Sequence, residues 1–387
     1  MEHLRSHFLL NPEITFLNFG SFGACPKPVF EEYQRFQLEL ERDPVQFITV
    51  KGYDYIRESR EALANYIGCE ADDVVYTPNP TFAINIVAKN LRLQPGDEVL
   101  STDLEYGALD RTWAFYCAEK GAKFVRQHIS LPLVSKEQFL EDFWKGYSEK
   151  TKAIFISQIT STTGLIFPVK EICEEAKKRG LLTIVDGAHV PGHIPLNLKE
   201  LEADIYTGAC HKWMMTPKGS SFLVVKKEFQ TWMDPLVVSW GYDAAYPSSS
   251  QFLDYHQFNG TRDFSAYLTI PKAIAFMEEH DWWSIAAECR KLTQSNYQRF
   301  CDLMEAAPLA PITDEFFGQL ASIPIKTNDP IALKNNLFQE HQIEIPVMPH
   351  GEAVYLRYSI NAFNDQSDLD KLYDVLVKLK NENKLLK

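Results

Sequence analysis

Between about residue 53 and residue 226 the apolar positions follow two alternating rhythms. Short β-branched runs read as buried strands: Asp73-Val74-Val75-Tyr76, Glu98-Val99-Leu100, Lys123-Phe124-Val125, Ala153-Ile154-Phe155-Ile156 and Leu181-Leu182-Thr183-Ile184-Val185. Between them lie helical spacings such as Val169 to Arg179, where Ile172, Cys173 and Ala176 share a face. Strands alternating with helices of crossover length predict a mainly parallel sheet covered on both faces, an α/β fold. A ligand of such a sheet sits beyond the carboxyl ends of its strands.

The texture changes after Gly260. Helical patterns over Trp282 to Met304, Ile331 to Glu340 and Ser367 to Lys380 surround strand-like Leu320 to Ile325 and Val354 to Tyr358, which predicts a smaller α+β domain over 260–387. Asp365-Gln366-Ser367-Asp368 suits a helix start, since carboxylates favour the positive end of the helix dipole. The large domain then spans 17–259, and 1–16 is expected to pack with the small one.

Composition narrows the class. A chain of 387 residues with 45% hydrophobic and 24% charged positions can bury the cores of two soluble packed units. Its net charge of −13, with no basic block longer than Lys177-Lys178-Arg179, argues against a nucleic-acid or anionic-membrane partner. Seven scattered cysteines without a Cys-x-x-Cys spacing argue against a disulfide framework or zinc knuckle and fit a reducing, cytoplasmic setting. No secretory apolar core follows Met1, and no apolar run has the length of a membrane span.

The candidate chemistry centres on Lys212. It lies in His211-Lys212-Trp213, downstream of an apolar strand that ends in Asp186-Gly187-Ala188-His189. A lysine can hold pyridoxal 5'-phosphate as a Schiff base while a buried aspartate keeps the pyridine nitrogen protonated, which lets the ring accept electrons. Alone, Asp186 reads as a strand-end cap and Lys212 as a solvated charge. Together, at the ends of adjacent strands, they read as a cofactor site. Cys210, Trp213, Met214 and Met215 form an apolar neighbourhood that would lower the lysine pKa. Thr77 to Ala83, with Asn79, Pro80, Thr81 and Phe82, is a turn opening a helix, whose free N–H groups and dipole suit a phosphate, although simple capping by Asn79 or Thr81 fits equally. His189 and His193 have metal-type spacing, but Pro191 and Gly192 break the helix such a pair needs, so no metal is expected.

These motifs, with Leu17-Asn18-Phe19-Gly20-Ser21-Phe22-Gly23, Glu105-Tyr106-Gly107-Ala108, Gly260-Thr261-Arg262-Asp263 and Leu356-Arg357-Tyr358-Ser359, run along nearly the whole chain. Their combination resembles the class V aminotransferases, and within them the isopenicillin N epimerase-like branch. The resemblance implies a fold-type I architecture with a seven-stranded-type sheet, and a homodimer whose active sites are shared. It places His189 near the pyridine ring and its phenolic oxygen, and Tyr106 stacked on the ring. His211 would contact the phosphate, Ser161 the phenolic oxygen or the substrate carboxylate, and Gly260 and Thr261 the phosphate of the neighbouring subunit. It further implies that Arg357 grips the substrate carboxylate, with Asn18, Ser21 and the Trp240-Gly241-Tyr242 turn at the mouth. Ala209 departs from the family's usual hydroxyl three residues before the lysine.

The implied activity is that of an enzyme acting on an amino acid or an amino-acid-like amine, by epimerisation or racemisation, by transamination, or by β-elimination. Cysteine desulfuration would need a thiolate on a small-domain loop. No cysteine follows Cys301, and the expected loop reads Pro346-Val347-Met348-Pro349-His350-Gly351. The alternative of another class is a non-catalytic cofactor sensor.

Overall fold

The computed structural model describes residues 4–257 and 259–385. Its strands, in chain order, are β1 (Thr15–Phe16), β2 (Val74–Thr77), β3 (Glu98–Thr102), β4 (Lys123–Gln127), β5 (Thr151–Ser157), β6 (Leu182–Gly187), β7 (Ile205–Ala209), β8 (Ser221–Val225), β9 (Leu320–Ile325), β10 (Ile343–Glu344), β11 (Val347–His350) and β12 (Ala353–Ser359). Seven of them form the main sheet in the order β2-β8-β7-β6-β5-β3-β4. From β4 through β7 the pairings are parallel, and β8 runs antiparallel to both β7 and β2.

Side-chain alternation divides this sheet between two cores. Val75, Val99, Phe155, Ile184, Ile205 and Leu223 face one side with Ile84, Val87, Leu109 and Trp113 from the helices Pro80–Asn90 and Gly107–Glu119. Their neighbours Tyr76, Leu100, Ile156, Val185, Tyr206 and Phe222 face the other side with Ile172, Cys173 and Ala176 of the helix Val169–Arg179. Each fully buried aliphatic or aromatic side chain contributes roughly 1.5–3 kcal/mol of transfer free energy. A strand buried on both faces therefore needs no polar alternation, which is why the strands read as continuous apolar runs.

The second sheet is antiparallel, in the order β11-β12-β9. The helix Trp282–Leu303 packs on β9, and the Tyr297 hydroxyl donates to the Ser322 carbonyl at 2.7 Å. The last helix, Gln366–Asn381, starts with a capping box made by Asp365 and Asp368. Near the other terminus β1 pairs in parallel with β10, and the Phe8 and Phe16 rings pack on Phe363. The helices Lys27–Arg42 and Gly52–Ile67, which the strand pattern left unread, pack against Ser265–Leu268 and Ile270–Glu279. Pro346 to Gly351, expected as a loop, contributes β11 instead, and His350 Nε2 donates to the Asp103 carbonyl at 2.7 Å. Among the described residues no helix is long and apolar enough to cross a membrane.

Candidate active site

Three adjacent parallel strands end together. Ser157 on β5 is the register partner of Asp186 on β6, which in turn is the partner of Thr207 on β7. Lys212 lies in the turn just after β7, so its side chain and that of Asp186 meet at the carboxyl ends of the central strands. Gly23 packs against this turn: its φ is +65°, and a Cβ there would lie 2.3 Å from the His211 carbonyl oxygen. Only glycine accepts both the backbone angle and that approach.

A cavity of about 540 Å³ opens above these strand ends, with Asp186, His189, Lys212, His211, Tyr106 and Ser161 in its wall. Lys212 Nζ is 3.1 Å from His189 Nε2. Burial, and secondarily the charge of Arg357, bring the lysine down to about 8, while Asp186 opposes the shift. Asp186 moves up to about 6 because it is buried; one hydrogen bond, from the Ala188 N–H to Oδ1 at 2.9 Å, and the charge of Lys212 oppose this. His189 is held well below the ordinary histidine range, first by burial and then by the cations Lys212 and Arg357. Its Nδ1 accepts from the Trp213 indole at 3.3 Å.

Arg357 projects from β12 and is buried. Its Nη1 donates to the Ser161 carbonyl and, at 3.3 Å, to the Ser161 hydroxyl; its Nη2 donates to Ser21 Oγ at 2.9 Å. The Ser21 hydroxyl donates to Asn18 Oδ1 at 2.5 Å, and the Asn18 amide donates to Glu344 at 3.0 Å. Among the described residues no carboxylate pairs with the guanidinium, and its Nε has no partner. Burial lowers it to about 10. Asn18, expected at the mouth, thus lies behind Ser21 and outside the cavity wall.

The phosphate-type turn is built as a helix start. Asn79 caps Pro80–Asn90, its Oδ1 accepting from the Phe82 N–H at 2.8 Å, and Asn79, Pro80 and Thr81 line the cavity. His211 lies beside them and donates from Nδ1 to the Ser220 carbonyl at 2.7 Å. The Phe82 side chain faces instead a neighbouring hollow with Lys218, Arg262 and Tyr267. Gly260 and Thr261 are exposed and outside this chain's cavity, and Trp240 is 90% exposed, away from its wall.

The sequence reading passed over several members of the site. Ser157 and Gly219 line the cavity, and the carboxylate of Glu105 is buried behind it. Glu105 accepts from Thr102 Oγ1 at 2.8 Å, and from the N–H and hydroxyl of Ser157 at 3.0 and 2.5 Å. Burial raises it to about 7 against these hydrogen bonds. Gly219, at φ +86°, was signalled by the turn sequence Pro217-Lys218-Gly219. Glu105 stands in the motif Glu105-Tyr106-Gly107-Ala108, but its buried role rests on Ser157, which β5 brings up from 52 residues away. Among the described residues no group of three or more His, Cys, Asp or Glu side chains could hold a metal.

A buried lysine, a buried aspartate and a helix start meet around one cleft, and residues 24–372 match the family model for class-V aminotransferases. The chain belongs to that family and is a pyridoxal phosphate-dependent enzyme of fold type I. It is 31% identical to isopenicillin N epimerase of Streptomyces clavuligerus, over 98% of each chain. With isopenicillin N epimerase of Amycolatopsis lactamdurans it shares 29% identity over 97% of each. A probable chloroplastic L-cysteine desulfhydrase of Arabidopsis thaliana is 25% identical over 95% of this chain and 83% of that one. Among solved structures, a cysteine desulfurase from Thermococcus onnurineus matches with a TM-score of 0.84 at 21% identity over 98% of both chains, and so shares the fold.

The residues present fit the cofactor. The second oxygen of Asp186 accepts no hydrogen bond from the described residues, so a buried carboxylate oxygen stands ready for a protonated ring nitrogen. The helix start at Asn79 to Thr81 presents its N–H end to a phosphate beside Gly219, and the ring of His211 lies in the same wall.

Proposed function

We infer that this enzyme moves a proton at the α-carbon of an amino acid or amino-acid-like amine, with epimerisation as the outcome the relatives favour and transamination as the neighbouring one. The single observation that carries this is the buried guanidinium of Arg357, which stands behind Ser21 and Ser161 in the wall of the cleft that holds Lys212 and has no carboxylate partner among the described residues. A guanidinium desolvated without a counter-charge is poised for an anionic ligand, and a carboxylate takes it with two parallel hydrogen bonds. An α-amino acid supplies that carboxylate one bond from the carbon whose amine must reach Lys212.

The bound cofactor supplies the electron sink that makes the α-proton acidic. Lys212 would hold it, Asp186 would keep the ring nitrogen protonated, His189 would hydrogen-bond its phenolic oxygen, and Tyr106 would cover one ring face. Asn79, Pro80, Thr81 and His211 would hold the phosphate, with Gly260 and Thr261 reaching the partner's phosphate in a homodimer. The Lys212 amine, brought to about 8 by burial, would be an acid and base of suitable strength at Nζ. Ser161 and Ser21 fix the fork of Arg357, and so the direction in which the α-carbon presents its hydrogen.

A β-elimination reading is supported by relatives named as L-cysteine desulfhydrases. Transfer of sulfur to a protein thiolate is not, because β11 occupies the expected loop and Cys289 and Cys301 are buried with thiol pKa values raised by desolvation. The deciding experiment incubates the enzyme with a panel of L-amino acids in deuterium oxide. Deuterium at the α-carbon with a D-isomer is the expected result; keto acid without a D-isomer favours transamination, and sulfide or pyruvate favours elimination. No exchange, inversion or product with any amino acid overturns the assignment.

A further inference from the structure

The geometry points to Trp213 as the residue that sets the proton of His189 on Nε2, and through it favours the unprotonated, acceptor form of the Lys212 amine over the ammonium. An indole N–H is a donor only. At 3.3 Å from Nδ1 it requires a lone pair there, so a neutral His189 carries its proton on Nε2. Nε2 is the atom that faces Lys212 Nζ at 3.1 Å, and with its proton in place the lysine must receive the bond. An ammonium has no lone pair and cannot do so. One donor-only group thus orders the polarity of three residues in series.

The indole is itself held in orientation. Trp213 is fully buried, stacked on the His193 ring at a centroid distance of 3.9 Å and packed against Phe19 at 5.1 Å. His193 in turn cannot rotate without losing two bonds: its Nδ1 donates to the His189 carbonyl at 2.9 Å, and its Nε2 accepts from the Gln319 N–H at 2.6 Å. Trp213 is therefore a positioning residue, acting on the cofactor and the lysine through His189. The consequence for the cofactor is chemical. Its phenolic oxygen neighbours the carbon that bonds Lys212, and an oxyanion there is matched by an Nε2–H donor and opposed by an Nε2 lone pair.

This deepens the assignment of His189 to the cofactor site and rests on it, so the test separates the two. Full-length protein labelled with ¹⁵N-histidine, with and without pyridoxal 5'-phosphate, is read by long-range ¹H–¹⁵N correlation, the His189 signals being assigned from their absence in His189→Asn. The expected result in both states is a pyridine-type Nδ1 and a pyrrole-type Nε2. In Trp213→Phe the two His189 shifts should converge as the tautomers mix. A pyrrole-type Nδ1 in the wild type, or unchanged shifts in Trp213→Phe, overturns the inference. The wild-type spectrum decides it even if that variant does not fold. Borohydride trapping of the cofactor on Lys212 tests the underlying site assignment independently.

Discussion

Arg357 and Ser21 join the two ends of the chain at the cleft: Nη2 of a residue on β12 donates to the hydroxyl of a residue in the short helix Phe19–Phe22, 2.9 Å away. The contact fixes the guanidinium fork without neutralising it, and the compensating carboxylate, Glu344, stands two hydrogen bonds further back. Arg357→Ala should weaken binding of carboxylate substrates by about 2–5 kcal/mol, the range for truncating one member of a desolvated pair. Capture of the cofactor by Lys212 should persist. Equal losses for amino acids and their decarboxylated amines, measured by titration of the visible spectrum, would show that Arg357 serves only the fold.

Capture of pyridoxal phosphate by the cofactor-free protein needs an uncharged Lys212 amine. With the lysine at about 8, the capture rate should climb about tenfold per pH unit below that value and level off above it. Stopped-flow absorbance followed by borohydride reduction and peptide mapping measures both the midpoint and the site. A pyridoxyl group on any lysine other than Lys212 contradicts the assignment.

Asp186→Asn should retain the cofactor and lose turnover by roughly 10²-fold or more, the scale of losing one essential electrostatic contact to the developing charge. An amide can still hydrogen-bond to the ring nitrogen but cannot hold it protonated. Near-normal rates at confirmed full occupancy would be incompatible with that role.

Glu105 gives a pH signature of stability. Its folded-state pKa, about 7, lies above the 4.5 of an ordinary glutamate. The folded protein therefore holds this proton more tightly, and the stability tied to it is complete below pH 4.5 and lost as the pH rises through 7. Integrated over that interval the loss is about 3 kcal/mol. Glu105→Gln removes the titration while keeping an acceptor for Ser157. Melting temperatures of the variant should gain on the wild type between these two pH values and run parallel above them. A difference independent of pH would mean that Glu105 is ionised throughout.

The proposed exchange of Gly260 and Thr261 between subunits can be tested by mixing. Lys212→Ala and Thr261→Asp chains should each be inactive, and their heterodimers should recover one working site, since one pocket then receives both an intact lysine and an intact partner threonine. Light scattering should show a dimer. Full activity of Thr261→Asp alone would remove the residue from the site.

Strands β2, β3, β5 and β6 were legible because burial on both faces leaves an apolar run at each, whereas β4, with Lys123 and Arg126 exposed, shows only Phe124 and Val125. Lys212 and Asp186 were legible because their chemistry is rare in that setting. What the sequence hid is what depends on distant donors. The roles of Glu105 and Trp213 follow from Ser157 and His189, which no local period connects to them. The helices Lys27–Arg42 and Gly52–Ile67 lack the strand rhythm that marks the sheet, and Pro346 to Gly351, loop-like in composition, contributes a strand through its pairing with β12.

The position of β12 has a consequence for synthesis. Ribosomes deliver the chain from its N-terminus, and domains fold largely as they emerge. All seven strands of the main sheet, with Asp186, Lys212 and the Asn79 turn, leave the exit tunnel well before Arg357 does. Ser21, made among the first residues, then waits for the guanidinium that will occupy its hydroxyl. The nascent chain thus assembles its own cofactor groups, Lys212, Asp186 and the Asn79 turn, before the grip on the substrate exists, so its lysine stands ready before it can be fed.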